Sequence, residues 1–377
     1  MNYLLVVDHL GLGGAQRQLV ELACGLKARG HRVEILVYFP QHAFFRQRVE
    51  ERQIVVHEYH KGLGFSLGVI RRLRSLRRSG KFDIVISYLN SPTVYAELAN
   101  VLADDARLIV SERCSHHDDK SWLVSNARRL LHVLADRVVT NSQTHAQWLR
   151  TRYWLQRKVT CIYNGIDLGP APLMKGLPGR NAELRLLAVG RVCPQKNVTG
   201  LIAALDHFQG EHGYVPRVSW AGKPEAGRAG LSYERHISEL LAGSPAVNRQ
   251  WRWLGEQPDM RRLLREHDVL IHPSLYEGLP NAVCEALAAG VPVLASNVCD
   301  HSLLVADGVR GFIFEPDEPR SIAGAIDRIA RLSAARWEGL CVGARNYAEA
   351  NLGADKMVAA YENLSLELMM HRTEGVR

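Results

Sequence analysis

The chain has 377 residues, 47% of them hydrophobic and 23% charged, with 31 glycines and 15 prolines; that composition is globular, excludes disordered and collagen-like classes, and at this length suits two domains. The net charge of +8 is lopsided, because residues 1–165 carry 24 Lys and Arg against 14 Asp and Glu while the remainder carries 23 against 25. Seven scattered cysteines (Cys24, Cys114, Cys161, Cys193, Cys284, Cys299 and Cys341) include no C-x-x-C pair, so neither a disulfide framework nor a zinc site is signalled.

In chain order, the start MNYLLVVDHL has no basic stretch and only five apolar residues before Asp8. That is too little for a signal peptide or a spanning helix, and the expected location is the cytoplasm. Residues 3–7, 32–38, 83–88, 107–111 and 137–140 are short β-branched runs separated by helical spacing. They read as buried parallel strands of a doubly wound α/β domain.

The loop after the first strand is Leu10-Gly11-Leu12-Gly13-Gly14-Ala15-Gln16-Arg17. Bare backbone before a helix lets a phosphate or sugar approach the positive end of the helix dipole. A dinucleotide fingerprint fails on spacing, since Gln16 stands where glycine or alanine is required, although Glu34 lies roughly where a ribose-binding acid would. A nicotinamide dehydrogenase is therefore a weak alternative.

Residues 65–81 contain Arg71, Arg72, Arg74, Arg77, Arg78 and Lys81 and no acid. On a helix Val69, Leu73 and Leu76 share one face and several arginines project from the other, a pattern suited to an anionic lipid surface or a phosphorylated acceptor. A plain solvated helix is the alternative. Nucleic acid fits less well, because the run lacks interleaved aromatics.

A Gly/Pro-rich interruption begins at Asn164-Gly165-Ile166-Asp167, and the alternation restarts at 184–190, with later strands expected at 217–221, 269–272, 292–295 and 311–314 and a helical tail from about 355 to 369. Two open α/β units are expected to face across a cleft lined by the carboxyl ends of both sheets. The loop after 190 offers two cations, Arg191 and Lys196, a clamp for a diphosphate. The segment from His272 to Val293 holds Glu277 in the loop before a helix that starts at Pro280-Asn281, and Glu285 on its first turns. The backbone donors from Leu279 to Ala282, Pro280 excepted because it lacks an N–H, would then be free to meet an anion, with Gly278, Leu279, Pro280 and Asn281 as the donor-binding turn. Eight residues separate the carboxylates, ~12 Å if all were helical, which spans a nucleotide sugar and is too long for an acid/base dyad.

The E-x7-E element in PSLYEGLPNAVCEALAAGVPV, the GRVCPQKN loop, the GLGGAQR loop and the NGID linker occur in the order found in the retaining GT-B glycosyltransferases of family 4, which nearly the whole chain resembles. The resemblance implies two Rossmann-like domains: residues 1–165 on the acceptor side, a linker at 166–183, a nucleotide-sugar donor domain at 184–354, and a helical tail at 355–377 that in the family often crosses back. It implies a hexose-type sugar moved with retention from a nucleotide diphosphate sugar, a UDP-sugar as first guess, to a glycan or polyprenyl-diphosphate-linked acceptor in bacterial polysaccharide or lipopolysaccharide biosynthesis, at the inner face of the cytoplasmic membrane. No cofactor and no metal is implied, and the sequence has no D-x-D triplet.

Position by position, Arg191 and Lys196 would grip the donor diphosphate, Glu285 the ribose hydroxyls and Glu277 hydroxyls of the transferred sugar, with Gly13 and Gly14 closing the cleft. Two departures stand out. Arg113 falls where many relatives have a histidine near the reacting carbon, with His116 and His117 just after it, and Cys299-Asp300-His301 replaces frequent glycines. A sugar-nucleotide epimerase or hydrolase on the same fold, or a non-catalytic sugar-nucleotide-binding scaffold, are the alternatives.

Overall fold

The computed structural model describes residues 1–101, 103, 105–113, 122–170, 176 and 184–374. Its contacts separate into one unit made of Met1–Gly165 with Gly353–Arg377 and a second made of Ile166–Leu352.

The first unit runs β1 (Asn2–Val6), α1 (Gly14–Ala28), β2 (Arg32–Val37), α2 (Arg46–Glu51), β3 (Val55–Glu58), α3 (Leu67–Gly80), β4 (Ile84–Tyr88), α4 (Asn90–Asn100), β5 (Arg107–Glu112), α5 (Trp122–Leu130), β6 (Arg137–Thr140), α6 (Gln143–Tyr153) and β7 (Val159–Cys161). Its sheet has the order β3-β2-β1-β4-β5-β6-β7, and every pairing is parallel. The central strands are apolar on both faces: Leu5, Ile35 and Ile86 pack under α1, while Leu4, Val85 and Val110 pack under α3 and α4. A sheet covered by helices on both sides selects such unbroken apolar runs.

The second unit runs β8 (Arg185–Val189), α7 (Val198–His212), β9 (Arg217–Ala221), α8 (Arg228–Gly243), α9 (Pro245–Gln250), β10 (Trp251–Gly255), α10 (Met260–Glu266), β11 (Val269–His272), α11 (Asn281–Ala288), β12 (Val293–Ser296), α12 (His301–Val305), β13 (Gly311–Phe314), α13 (Pro319–Ala330) and α14 (Ala334–Asn351). Its sheet is β10-β9-β8-β11-β12-β13, again all parallel. In each sheet the strand order reverses once, between β1 and β4 and between β8 and β11. Loops leaving the carboxyl ends of those strand pairs diverge and open a crevice.

Three strands escape the sequence reading, β3, β7 and β10, and all three are sheet edges. An edge strand is covered incompletely, so β3 reads Val-Val-His-Glu and β10 Trp-Arg-Trp-Leu-Gly, without the continuous apolar run of a central strand.

The last helix, α15 (Ala354–Glu374), belongs to the first unit. Met357, Val358, Tyr361, Leu364 and Leu368 join the core built on α1. Gly25 permits this contact, since a Cβ there would meet Val358 Cγ2 at 2.3 Å. The Gln18 amide reads both backbone groups of Gly165, at 3.0 and 2.8 Å, so α1 also fixes where the first stretch of this unit ends.

Candidate functional site

The reversal point of the second sheet gathers the polar residues. β8 ends at Val189, and Gly190 follows with φ 152; a Cβ there would lie 2.8 Å from Lys196 Cε, so the bare residue makes room for the lysine stem. A single 3-10 turn, Pro194–Lys196, leads into Asn197, whose side chain accepts from Gly200 N–H at 3.1 Å and caps α7. Lys196 thus stands at the positive end of α7. Its loop is tied to the one after β11: Gln195 Nε2 donates to the Tyr276 carbonyl at 3.0 Å, and Leu275 N–H to the Gln195 carbonyl at 2.8 Å.

These ties bring Lys196 Nζ onto Glu277 Oε1 in a nearly buried ion pair. Burial alone would raise the Glu277 carboxyl, yet the Lys196 ammonium and a hydrogen bond from His272 hold it far below the usual carboxylate range. Glu277 is therefore held as a carboxylate at neutral pH. Among the described residues, Oε1 takes both His272 and Lys196, and Oε2 has no hydrogen-bond partner.

α11 begins at Asn281 with Pro280 as its N-cap, as the Pro-Asn pair predicts, and Glu285 lies buried within its first turns. Gly278 and Leu279 lie just outside that helix start, whose first N–H groups have no intrahelical partner. Arg191 does not join the pair: its guanidinium is exposed and donates to Glu225 at 2.8 Å. The expected two-cation clamp is therefore one committed lysine and one surface arginine engaged elsewhere.

The Cys299-Asp300-His301 departure acquires a physical account. Cys299 holds φ 52, the left-handed region in which glycine is the least strained residue, and its thiol reaches the Gly278 carbonyl. Asp300 and His301 are wholly buried beside it, and the His301 ring meets His272 edge-on at 5.4 Å. Sequence reasoning passed over His272 and Ser274, read only as part of a motif; a histidine ending an otherwise aliphatic strand, Val-Leu-Ile-His, was the available signal.

In the first unit, Gly13 and Gly14 stand at the start of α1 and the preceding loop folds on itself. Gln16 Nε2 donates to Asp8 Oδ1 at 3.1 Å, and Gly11 N–H to His9 Nδ1 at 3.0 Å. Glu34 is no ribose ligand: it is buried in β2 between Arg32 at 2.5 Å and His57 at 2.6 Å. Arg113 is engaged by the protein itself. Its guanidinium is sealed in, donating to Ser111 Oγ at 2.7 Å, Asn164 Oδ1 at 2.6 Å, Tyr88 Oη at 2.6 Å and Tyr361 Oη at 2.8 Å, and it lies over the Tyr88 ring. Four of its five N–H groups hold protein atoms, so it bolts α15 to the sheet. His116 and His117 lie outside the described residues.

The basic helix divides. Arg71, Arg78 and Lys81 are exposed and Arg72 half-buried, as a surface-docking role requires. Arg77 is buried, donating to Asn100 Oδ1 at 2.8 Å and the Ala106 carbonyl at 3.0 Å and pairing with Asp105 at 2.6 Å. Arg74 caps the end of α4 through the Leu98, Ala99 and Val101 carbonyls. These two hold the fold, which removes them from the anion-facing set. The loop before α3 exposes Leu63 and Phe65, and the helix start Leu67, with Phe65 stacked on Tyr95. Among the described residues no helix is long and apolar enough to cross a membrane, and no three His, Cys, Asp or Glu side chains form a metal-ligand set.

Residues 12–169 match the model of Glycosyltransferase Family 4, and residues 183–331 that of Glycosyl transferases group 1. The chain is 31% identical over 256 residues to a D-inositol 3-phosphate glycosyltransferase of Geodermatophilus obscurus, a match covering 62% of this chain and 54% of that one. It is 24% identical over 273 residues to the Escherichia coli UDP-Gal:alpha-D-GlcNAc-diphosphoundecaprenol alpha-1,3-galactosyltransferase, covering 68% of each. Across several such curated relatives the match spans about half of their length. The fold of Anabaena Alr3699/HepE, solved in complex with UDP, superposes with a TM-score of 0.81 over 97% of this chain and 100% of that one at 20% identity. With both halves matched in order and two doubly wound parallel sheets in place, the chain belongs to the family 4 group of GT-B glycosyltransferases.

Proposed function

We propose that this protein transfers a hexose-type sugar, with retention, from a nucleoside diphosphate sugar to a hydroxyl of a glycan or lipid-linked glycan. The observation that carries the reading is the Lys196–Glu277 pair at the reversal point of the second sheet, with Glu285 on the helix that follows. Lys196, at the head of α7, meets the charge that grows on the departing diphosphate. Glu277 Oε2 accepts from hydroxyls of the transferred sugar, and Glu285 from the ribose. Arg191 adds a second cation when it exchanges Glu225 for the diphosphate. Side chains take the leaving-group charge in this reading, since the sequence carries no D-x-D triplet. The transition state is an oxocarbenium-like sugar parting from the diphosphate, which the site stabilises chiefly by electrostatics and orientation.

Similarity to a UDP-bound fold and to an enzyme named for a UDP-Gal donor and a diphosphoundecaprenol acceptor supports a UDP-sugar and a lipid-linked acceptor. The first unit supplies a matching surface: exposed Leu63, Phe65 and Leu67 beside Arg71, Arg78 and Lys81 suit the anionic interface of a bilayer, where each nearby cation contributes ~1 kcal/mol. The test is thermal protection by a panel of UDP- and GDP-linked sugars, followed by nucleotide release with and without a polyprenyl-diphosphate glycan. A donor at 100 times its dissociation constant stabilises by about 2.7 kcal/mol. Acceptor-independent isomerisation or hydrolysis of the donor would replace transfer with epimerase or hydrolase chemistry. Binding without release would leave a scaffold.

A further inference from the structure

We infer that His272 is a positioning residue for Glu277, its Nε2–H fixing one carboxylate oxygen so that the other is presented to the sugar of the donor; this rests on the donor-site reading above.

His272 is the last residue of β11 and 1% exposed, so the sheet fixes where its ring sits. Its Nε2 lies 3.1 Å from Glu277 Oε1 and 3.2 Å from Ser274 Oγ. An ionised carboxylate only accepts, so the proton must reside on Nε2. Burial, and then the charge of Lys196, push the imidazole down from its ordinary range, so the ring donates as a neutral group. That distinguishes it from a second lysine: it orients the carboxylate without further neutralising it. Lys196 occupies the same oxygen, Oε1, so two donors from neighbouring strand ends pin one side of the group while Oε2 has no partner among the described residues.

The groups behind the ring are arranged to keep it there. His301 meets it edge-on at 5.4 Å and donates through Nδ1 to the Ser296 carbonyl at 2.8 Å; burial, then the neighbouring His272, push His301 down to about 4, so it too is neutral. Ser296 Oγ donates to the Ser274 carbonyl at 2.6 Å, closing the turn that carries Glu277. Among the described residues, Glu277, Ser274 and His301 contact His272 and Lys196 acts on it by charge; of these Lys196 and Glu277 are ionised.

The experiment compares His272→Gln with His272→Asn. A glutamine amide nitrogen falls near the place of Nε2, an asparagine one near that of Nδ1, and both remain polar and small enough to fold. Calorimetry on the full chain measures binding of UDP and GDP alone and of UDP-glucose, UDP-galactose, UDP-N-acetylglucosamine and GDP-mannose. The expected result is that the nucleotide by itself binds wild type and both variants alike. The sugar's added affinity should then be largely retained in His272→Gln and lost by roughly tenfold or more in His272→Asn. Equal sugar contributions in both variants, or a loss shared by bare nucleotide and nucleotide sugar, would overturn the inference while the donor site stands. A wild type that binds no nucleotide and no nucleotide sugar would remove the donor-site reading itself, and this inference with it.

Discussion

Lys196 and Glu277, 81 positions apart, form a nearly buried ion pair because the strands they follow, β8 and β11, are neighbours at the one point where the second sheet reverses its order. Nothing local joins them. The ladder register and the Gln195–Tyr276 and Leu275–Gln195 hydrogen bonds do so.

Lys196→Ala leaves a carboxylate buried without its cation, a change that typically costs about 3–5 kcal/mol. The variant should lose transfer by about 10²–10³-fold and also unfold at lower denaturant. Adding Glu277→Gln should recover much of the stability but none of the turnover. Denaturant melts paired with nucleotide-release assays check both halves, and near-normal transfer by the single variant would remove Lys196 from the mechanism.

Glu285→Gln should weaken UDP and UDP-sugars by the same factor, roughly 10- to 100-fold for hydrogen bonds to a charged group, because the ribose is common to both. Titration calorimetry measures it. A loss confined to the sugar nucleotides would move Glu285 from the ribose to the sugar.

Arg77→Leu should destabilise the protein by about 2–3 kcal/mol, since it strands the half-buried Asn100 and buried Ala106 acceptors. Arg71→Gln and Arg78→Gln should each stay within about 0.5 kcal/mol in stability. Each should reduce co-sedimentation with phosphatidylserine-containing vesicles by roughly fivefold, and serine replacement of Leu63 and Phe65 should reduce it further. Unchanged sedimentation would refute the lipid-surface role.

His132 is a pH-sensitive group of the first unit. Its Nδ1 lies 2.6 Å from Glu97 and its Nε2 3.0 Å from Glu112, both buried. Burial alone would lower it, but the two carboxylates push it up to about 9. The native state therefore holds a proton that the unfolded chain releases near pH 6.5, so this stabilisation is complete below about pH 6.5 and is lost as pH rises through about 9. The change amounts to roughly 3 kcal/mol. Melting temperature should fall across that window in the wild type and lose most of that slope in His132→Gln, which should be less stable throughout.

How far the sequence reaches depends on whether a residue's surroundings are local. Val69, Leu73 and Leu76 announce the buried face of α3, but Arg77 lies four residues after Leu73 and seven after Ile70, on that same face. The sequence reading counts it with the anion-facing arginines on charge, and the acceptors of Asn100, Asp105 and Ala106, more than twenty residues away, turn it into the protein. Arg113 is a similar case. Its sequence position suggested a catalytic contact, whereas Tyr88 and Tyr361, the latter 248 residues on, enclose it. Left-handed backbone at Cys299 explains why glycine would suit that place, a constraint on φ that residue type alone does not reveal.

By itself the sequence determined the architecture and the motif-bearing loops. Central parallel strands bury both faces and must be written as continuous apolar runs, and a helix start before Asn281 is written in a proline. Only the tertiary structure decided which charged groups meet. Partnership between Lys196, Glu277 and His272, and the engagement of Arg77, Arg74 and Arg113 by protein acceptors, depend on strand order and on long-range hydrogen bonds, and burial sets the ionisation of each group through neighbours that lie far off along the chain.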